Sequence, residues 1–395
     1  MGTCSPGIFS ITEIMTTFAE VRLWFTEIGH GCNRHHIHIL LMTLHIFNPS
    51  HDEALAAHSP YHYPSTIARR LQAEWGALPA LWALPGDAVW LSDGVEAPLQ
   101  AEWCKGISFV HKADLLKPSF WKTVDGIDPW GWDAVLRQQL RRCGAPERLL
   151  PTDGDLDLWR MLSSRYTTSA LLPRLRSALA ETGWSSQTMG ESRVAASVEE
   201  ALSVAKAWGG AVAKSLWSCS GRGVFRISLS PSTNEVNRLT RLIKEQGGVE
   251  LEPIYTPRTD FALEFEALPS GNVHFVGLSL FSTSSSGAYS ANRVGASSDL
   301  LAELQRSGGL SADEVDLLAS VCEKQLSAFI DGRYVGPLGM DMMMVETSAG
   351  VMLNPCIEVN LRRTMGHMAH CLAQRKLKLD DLPEFFHNLC YICNP

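Results

Sequence analysis

Between Leu338 and Met365 two strand-length apolar runs, Met340 to Glu346 and Val351 to Asn360, flank Thr347-Ser348-Ala349-Gly350, a cluster of turn-forming residues. The pattern predicts a β-hairpin, and the hairpin carries chemistry with it. Alternate residues of a strand share a face, so Glu358 and Asn360 point the same way. Antiparallel pairing about residues 348 to 350 brings Asp341 onto that face. Two carboxylates and one amide carbonyl then converge. That oxygen set suits Mg²⁺, with Mn²⁺ as the alternative ion, which keeps several waters and takes further contacts from substrate phosphates. Arg362 or Arg363 would stand beside those phosphates. Glu-x-Asn alone is short enough to occur by chance at an ordinary strand end, so its weight depends on the rest of the chain.

The chain has 395 residues, 45% of them hydrophobic and 19% charged, a composition that supports two or three globular domains. Its 34 basic and 42 acidic residues give a net charge of -8. With no long Lys/Arg block, neither nucleic acid nor an anionic membrane is expected as a partner. No apolar run reaches the length of a spanning helix. The ten cysteines are scattered rather than set out as a disulfide framework, which suggests a reducing cytoplasm. His367, His370, Cys371, His387, Cys390 and Cys393 gather near the end, but Cys390-x-x-Cys393 is a single pair, and reduced thiols are the simpler expectation.

Residues 1–41, with the run His35-His36-Ile37-His38, lack the pattern of a signal peptide, and Met42 looks like the natural start of the folded chain; the preceding segment is expected to be non-native or disordered. From residue 42 to 112 the pattern is that of a small α/β domain. It has a strand from Met42, a helix from Thr66 to Leu78, and buried strands at Ala88 to Leu91 and Ile107 to Val110. The loop Asn48-Pro49-Ser50-His51-Asp52-Glu53 follows the first strand. It is either a turn and helix cap formed by Ser50 or Asp52, or a substrate contact. Residues 113–190 read as a helical connection, including a segment from Trp130 through Arg142 and one or two helices over Asp157 to Leu179, split by Pro173.

Punctuation sharpens at Ser197. A capping box Ser197 to Glu200 opens a helix that Gly209-Gly210 closes, and a strand follows with Lys214 near its end. Ser218-Cys219-Ser220-Gly221-Arg222-Gly223 then joins it to a second strand from Val224 to Ile227. Small residues let backbone N–H groups approach phosphate oxygens, and Lys214 adds a cation. Lys214 precedes the glycines and no helix follows them, so this is a hairpin rather than a Walker loop. Cys219, without a histidine base, is read as a filler. A helix boxed by Ser232 and Glu235 and the strand Val249 to Ile254 complete a compact lid, with Glu252 placed to bond a nucleotide base or ribose. Strands from Phe261 to Ala267 and Val273 to Phe281, a Ser-rich loop from Phe281 to Arg293 expected to contact substrate, and a boxed helix 312–330 lead to the hairpin.

In order and spacing, Lys214, the loop 218–223, Glu252, Asp341 and Glu358-x-Asn360 resemble the ATP-grasp superfamily over residues 190–370. The resemblance implies an α/β (α+β) fold: a lid subdomain (191–258) and a larger core (259–395), preceded by a small Rossmann-like domain (42–112) and the helical connection (113–190). It implies ATP and Mg²⁺. Lys214, Ser218, Ser220, Gly221, Arg222 and Gly223 would meet the phosphates, Glu252 the adenine or ribose, Asp341, Glu358 and Asn360 the metal, and Lys214, Arg362 and Arg363 the reacting groups. Family members mostly join a carboxylate to an amine or similar nucleophile through an acyl-phosphate, so small-molecule carboxylate and amine substrates are expected, with a homodimer compatible. A small-molecule kinase on the same scaffold and a non-catalytic nucleotide-binding protein are the alternatives. Here Leu361-Arg362-Arg363-Thr364-Met365-Gly366 stands where many ligases of the family have an Asn-Thr-x-Pro-Gly turn.

Overall fold

The computed structural model describes residues 42–98, 101–184, 188–218, 223–283, 289–375 and 390–392. The expectations for residues 1–41, Cys219, Ser220, Gly221, Arg222, His387 and Cys393 lie outside the described residues. In chain order the first layer comprises β1 (Met42–Ile46), α1 (His51–Ala57), α2 (Thr66–Trp75), β2 (Ala88–Trp90), β3 (Ser108–Val110), α3 (Lys112–Leu115) and β4 (Val124–Pro129). The strands pair in parallel in the order β3-β2-β1-β4. Leu44, Ile46, Ala88 and Val89 are fully buried, as a parallel sheet covered on both faces requires. β4 extends this sheet past residue 112, where the sequence reading closed it. Its Val-Asp-Gly-Ile-Asp-Pro sequence has only two apolar aliphatic side chains, which hides an edge strand from a pattern search.

Three helices follow: α4 (Ala134–Arg142), α5 (Asp153–Leu162) and α6 (Arg165–Glu181). The break falls at Ser163-Ser164, and α6 runs straight through Pro173. An interior proline costs about 3 kcal/mol. Leu171, Leu172, Leu175 and Leu179 are all buried on the same helix, at about 1.5–3 kcal/mol each, so packing overrides the local penalty.

The second layer contains β5 (Arg193–Ala195), α7 (Val198–Ala207), β6 (Ala211–Ser215), β7 (Val224–Ile227), α8 (Thr233–Gln246) and β8 (Val249–Pro253). Its sheet is antiparallel in the order β5-β8-β6-β7. The Ser232 and Glu235 side chains cap α8 reciprocally, and Gly247 closes it with φ 81°. The Ser197 box on α7 is only half formed. Ser197 accepts from the Glu200 amide, while the Glu200 carboxylate accepts from the Ala196 amide.

The third layer holds β9 (Pro257–Ala267), β10 (Val273–Thr283), β11 (Tyr289–Val294), α9 (Ser297–Gly308), α10 (Ala312–Ile330), β12 (Gly336–Thr347), β13 (Gly350–Asn360), α11 (Met365–Gln374) and β14 (Cys390–Ile392). The six strands lie in the order β13-β12-β9-β10-β11-β14. Phe261, Phe265, Leu318, Cys322 and Leu326 belong to one core with the leucines of α6. The expected Ser-rich loop is shorter than read. Tyr289–Val294 is a strand that pairs antiparallel with β10 on one side and parallel with β14 on the other. Met368 and Leu372 of α11 pack into the core beneath the first sheet, which ties the third layer to the first. A four-stranded parallel sheet, a four-stranded antiparallel sheet at the place expected for the lid, and a six-stranded sheet at the place expected for the core follow one another along the chain. Among the described residues no helix is long and apolar enough to cross a membrane.

Candidate functional site

The register of the β12/β13 hairpin places Asp341 directly opposite Glu358, and Gly339 opposite Asn360. The turn lies at Ser348-Ala349, where the sequence pattern centred it. Asn360 Nδ2 lies 3.4 Å from an Asp341 carboxylate oxygen, so all three side chains share one face. They line a cavity of about 1110 Å³. Burial first, then the Glu358 and Glu264 charges, push the Asp341 carboxyl up to about 8. Two crowded carboxylates and an amide oxygen form a hard-oxygen donor set, and a divalent cation would relieve their repulsion; the residues fit Mg²⁺ on that ground. Among the described residues no group of three or more His, Cys, Asp or Glu side chains is arranged to hold a metal.

Across the cavity stands the lid sheet. Lys214, on β6, is almost fully buried and its ammonium lies 2.6 Å from the Glu252 carboxylate on β8. Val249 and Leu251 of β8 face the lid core, and the strand's alternation sends Glu250 and Glu252 to the other side. Ser218 also lines the cavity. Gly223 has φ 78°, and a Cβ there would collide with the Ser215 hydroxyl, so glycine is required at the base of the loop.

Arg165 links the two sides, and sequence reasoning missed it. The first residue of α6, it sits 2.9 Å from Glu358 and 3.4 Å from Glu250. Its Nε donates to the Ser215 carbonyl. Burial works against its charge, but Glu358 and then Glu250 outweigh this and raise its pKa above the ordinary value. Burial, reinforced by Glu252, pushes the Glu250 carboxyl up to about 7. Glu250-x-Glu252, two like charges alternating inside an apolar strand, was the available signal for this half of the network.

The two arginines after Asn360 diverge. Arg362 lines the cavity and pairs with Asp52 of α1 at 3.1 Å. Arg363 turns to the first sheet, as successive residues leaving a strand do. There its guanidinium donates to both Asp128 oxygens at 2.8 and 3.0 Å and lies over the Trp82 ring. Asp128 also accepts from His45 and from Trp82 Nε1. Ser50 precedes α1 but makes no side-chain cap, and Asp52 faces Arg362. The expected turn and helix are present without the side-chain cap from Ser50, and Pro49, Asp52 and Glu53 of this segment line the cavity.

A second buried group was also missed. Glu264 of β9 is fully buried, accepts from the Thr364 hydroxyl at 2.7 Å and lies 3.1 Å from His367. Thr364 in turn caps α11 by accepting from the Gly366 and His367 amides. A glutamate in the middle of the apolar run Phe261–Ala267 was the signal.

No family model matches the chain, and no curated protein matches it. Among solved structures, the biotin carboxylase ATP-analogue complex from Campylobacter jejuni is similar at 13% identity and TM-score 0.49, over 84% of this chain and 68% of that one. The biotin carboxylase domain of the Hydrogenobacter thermophilus 2-oxoglutarate carboxylase, with MgADP, ADP and bicarbonate, gives 14% and 0.48 over 87% and 72%. The Staphylococcus aureus N5-carboxyaminoimidazole synthetase complexed with ADP gives 13% and 0.45 over 89% and 81%. At these scores the likeness carries no functional reading; the side chains do.

Proposed function

We propose that this chain, whose three sheets follow the ATP-grasp order, is an ATP- and Mg²⁺-dependent ligase that joins a carboxylate to an amine through an acyl-phosphate. The observation that carries the reading is one cavity with Lys214 and Glu252 on its lid wall and Asp341, Glu358 and Asn360 on its core wall. Phosphoryl transfer needs positioning and charge neutralisation more than a protein nucleophile, and this cavity is supplied for both. A substrate carboxylate oxygen attacks the γ-phosphorus, the bond to the β,γ-bridging oxygen breaks, and ADP leaves. The amine nitrogen then attacks the acyl carbon, the carbon–oxygen bond to phosphate breaks, and the amine gives up a proton. Lys214 and Arg362 supply cations toward the phosphates and the carboxylate. Glu252 accepts hydrogen bonds from the base or ribose, and the lid keeps water from the acyl-phosphate. Mg²⁺, held by Asp341, Glu358 and Asn360, would neutralise charge on the transferred group.

The test is a screen for ADP and phosphate release from ATP. Release only when both a carboxylate and an amine are present supports the ligase. ADP formed with a stable phosphorylated product instead marks a kinase.

A further inference from the structure

The wall that the first sheet lends to the cavity differs in kind from the other two. Phe47, Ile67, Leu71, Trp75 and Trp130 form it, from the loop after β1, from α2 and from the turn after β4. Trp130 meets Phe47 edge to face at 5.1 Å, and Trp75 lies 6.3 Å from Phe47. Phe47 and Trp130 are buried members of the core behind the wall, whereas Ile67 is 52% exposed and Leu71 is half-buried, so these two hold apolar surface open to the cavity. A polar substituent placed against this wall would lose water without gaining a partner. An aliphatic or aromatic one would be favoured by the apolar area it takes out of water.

Beside this wall the cavity carries a pair of opposite charges, set apart from the Lys214–Glu252 and Arg165–Glu358 pairs. Asp52 rises from α1, Arg362 follows the metal-site strand by two residues, and they lie 3.1 Å apart with side chains 18% and 15% exposed. Adjacent fixed charges of opposite sign complement a zwitterion: a carboxylate on the guanidinium, an ammonium on the carboxylate. Arg362 also puts the bound carboxylate on the side of the cavity where Asp341, Glu358 and Asn360 stand.

We propose that the acid activated by this site is an α-amino acid with an apolar side chain, its charged groups held by Arg362 and Asp52 and its side chain laid on the Ile67, Leu71 and Trp75 wall. The assignment rests on the ligase reading and narrows it.

Calorimetry on the full chain with Mg²⁺ tests both separately. Binding of a non-hydrolysable ATP analogue alone tests the ligase reading, and its absence sinks that reading and this inference together. The analogue-saturated protein is then titrated with L-leucine, L-phenylalanine, 4-methylvalerate and L-aspartate. The expected result is that leucine or phenylalanine binds at least tenfold tighter than 4-methylvalerate, which lacks the ammonium, and than aspartate, which lacks the apolar side chain. Asp52→Asn removes the preference for leucine over 4-methylvalerate while analogue binding stays within about twofold, and Ile67→Asp, at an exposed position, weakens leucine at least tenfold. Equal binding of leucine and 4-methylvalerate by the parent protein overturns the ammonium contact, and equal binding of leucine and aspartate overturns the apolar wall. Analogue binding without any amino-acid binding overturns the inference and leaves the ligase reading standing.

Discussion

Arg165 and Glu358 meet at 2.9 Å, and Glu250 stands on the other side of the same guanidinium. One buried cation therefore neutralises a carboxylate of the lid sheet and one of the core sheet. Removing a partner of a buried pair leaves an uncompensated charge, so Arg165→Met should destabilise the protein by about 3 to 5 kcal/mol at pH 8. Urea unfolding of Arg165→Met, Glu358→Gln and the double variant gives the coupling directly. A loss under about 1 kcal/mol, or additive single effects, would show that the pair is not acting as a unit.

Glu358→Gln keeps the shape of the side chain and removes its charge. The variant is expected to stay folded, to bind nucleotide weakly and to lose most turnover, because the charge that would hold Mg²⁺ is gone. Turnover within twofold of the parent would falsify the metal assignment.

Lys214→Ala should weaken binding of an ATP analogue by about 1.5 to 3 kcal/mol, the range for a charge-assisted contact. Glu252→Gln frees Lys214 without deleting the cation, and any loss it causes reports the contact to the base or ribose, not the phosphates. Unchanged affinity in Lys214→Ala would place the phosphates elsewhere.

Gly223→Ala introduces a Cβ at φ 78° against the Ser215 hydroxyl. It should cost more than about 1 kcal/mol of stability, and thermal unfolding is the measurement. A neutral outcome would show that the loop base adjusts freely.

His45 is the titrating centre of the first sheet. It faces Asp87 and Asp128, and Asp128 is also held by Arg363. Burial opposes its charge, but the hydrogen bonds to Asp128 and Asp87 outweigh that and raise its pKa above 6.5. Its contribution to stability is fully present below the unfolded value and is lost as pH rises through the folded one. The stability difference between the parent and His45→Gln should therefore be largest near pH 6 and shrink toward pH 9. A flat or growing difference in urea midpoints would rule this out.

What could be read from the sequence was local. The hairpin register, the boxed ends of α8 and α10 and the lid strands all come from alternation and capping within a few residues, and each is found. The ion pairs that complete the cavity come from distant parts of the chain. Arg165 begins a helix with nothing to mark it as functional, and its partner Glu250 is 85 residues away. Arg362 and Arg363 look alike in sequence, and only the geometry of the chain leaving β13 sends one to the cavity and the other to Asp128. The helices over this stretch are found, but the break expected at Pro173 falls at Ser163-Ser164, because a local breaker was weighed without the four leucines that hold the helix down.

The Asp52 and Arg362 pair joins residues separated by 310 positions. During synthesis Asp52 leaves the ribosome long before Arg362 exists, and closing so long a loop is entropically costly and slow. Until then the half-made chain presents an unneutralised aspartate beside bare aromatic surface. Synthesis must pass residue 362 before this part of the cavity can close, so fragments interrupted between the second and third sheets would carry the smaller sheets but no finished pocket beneath them.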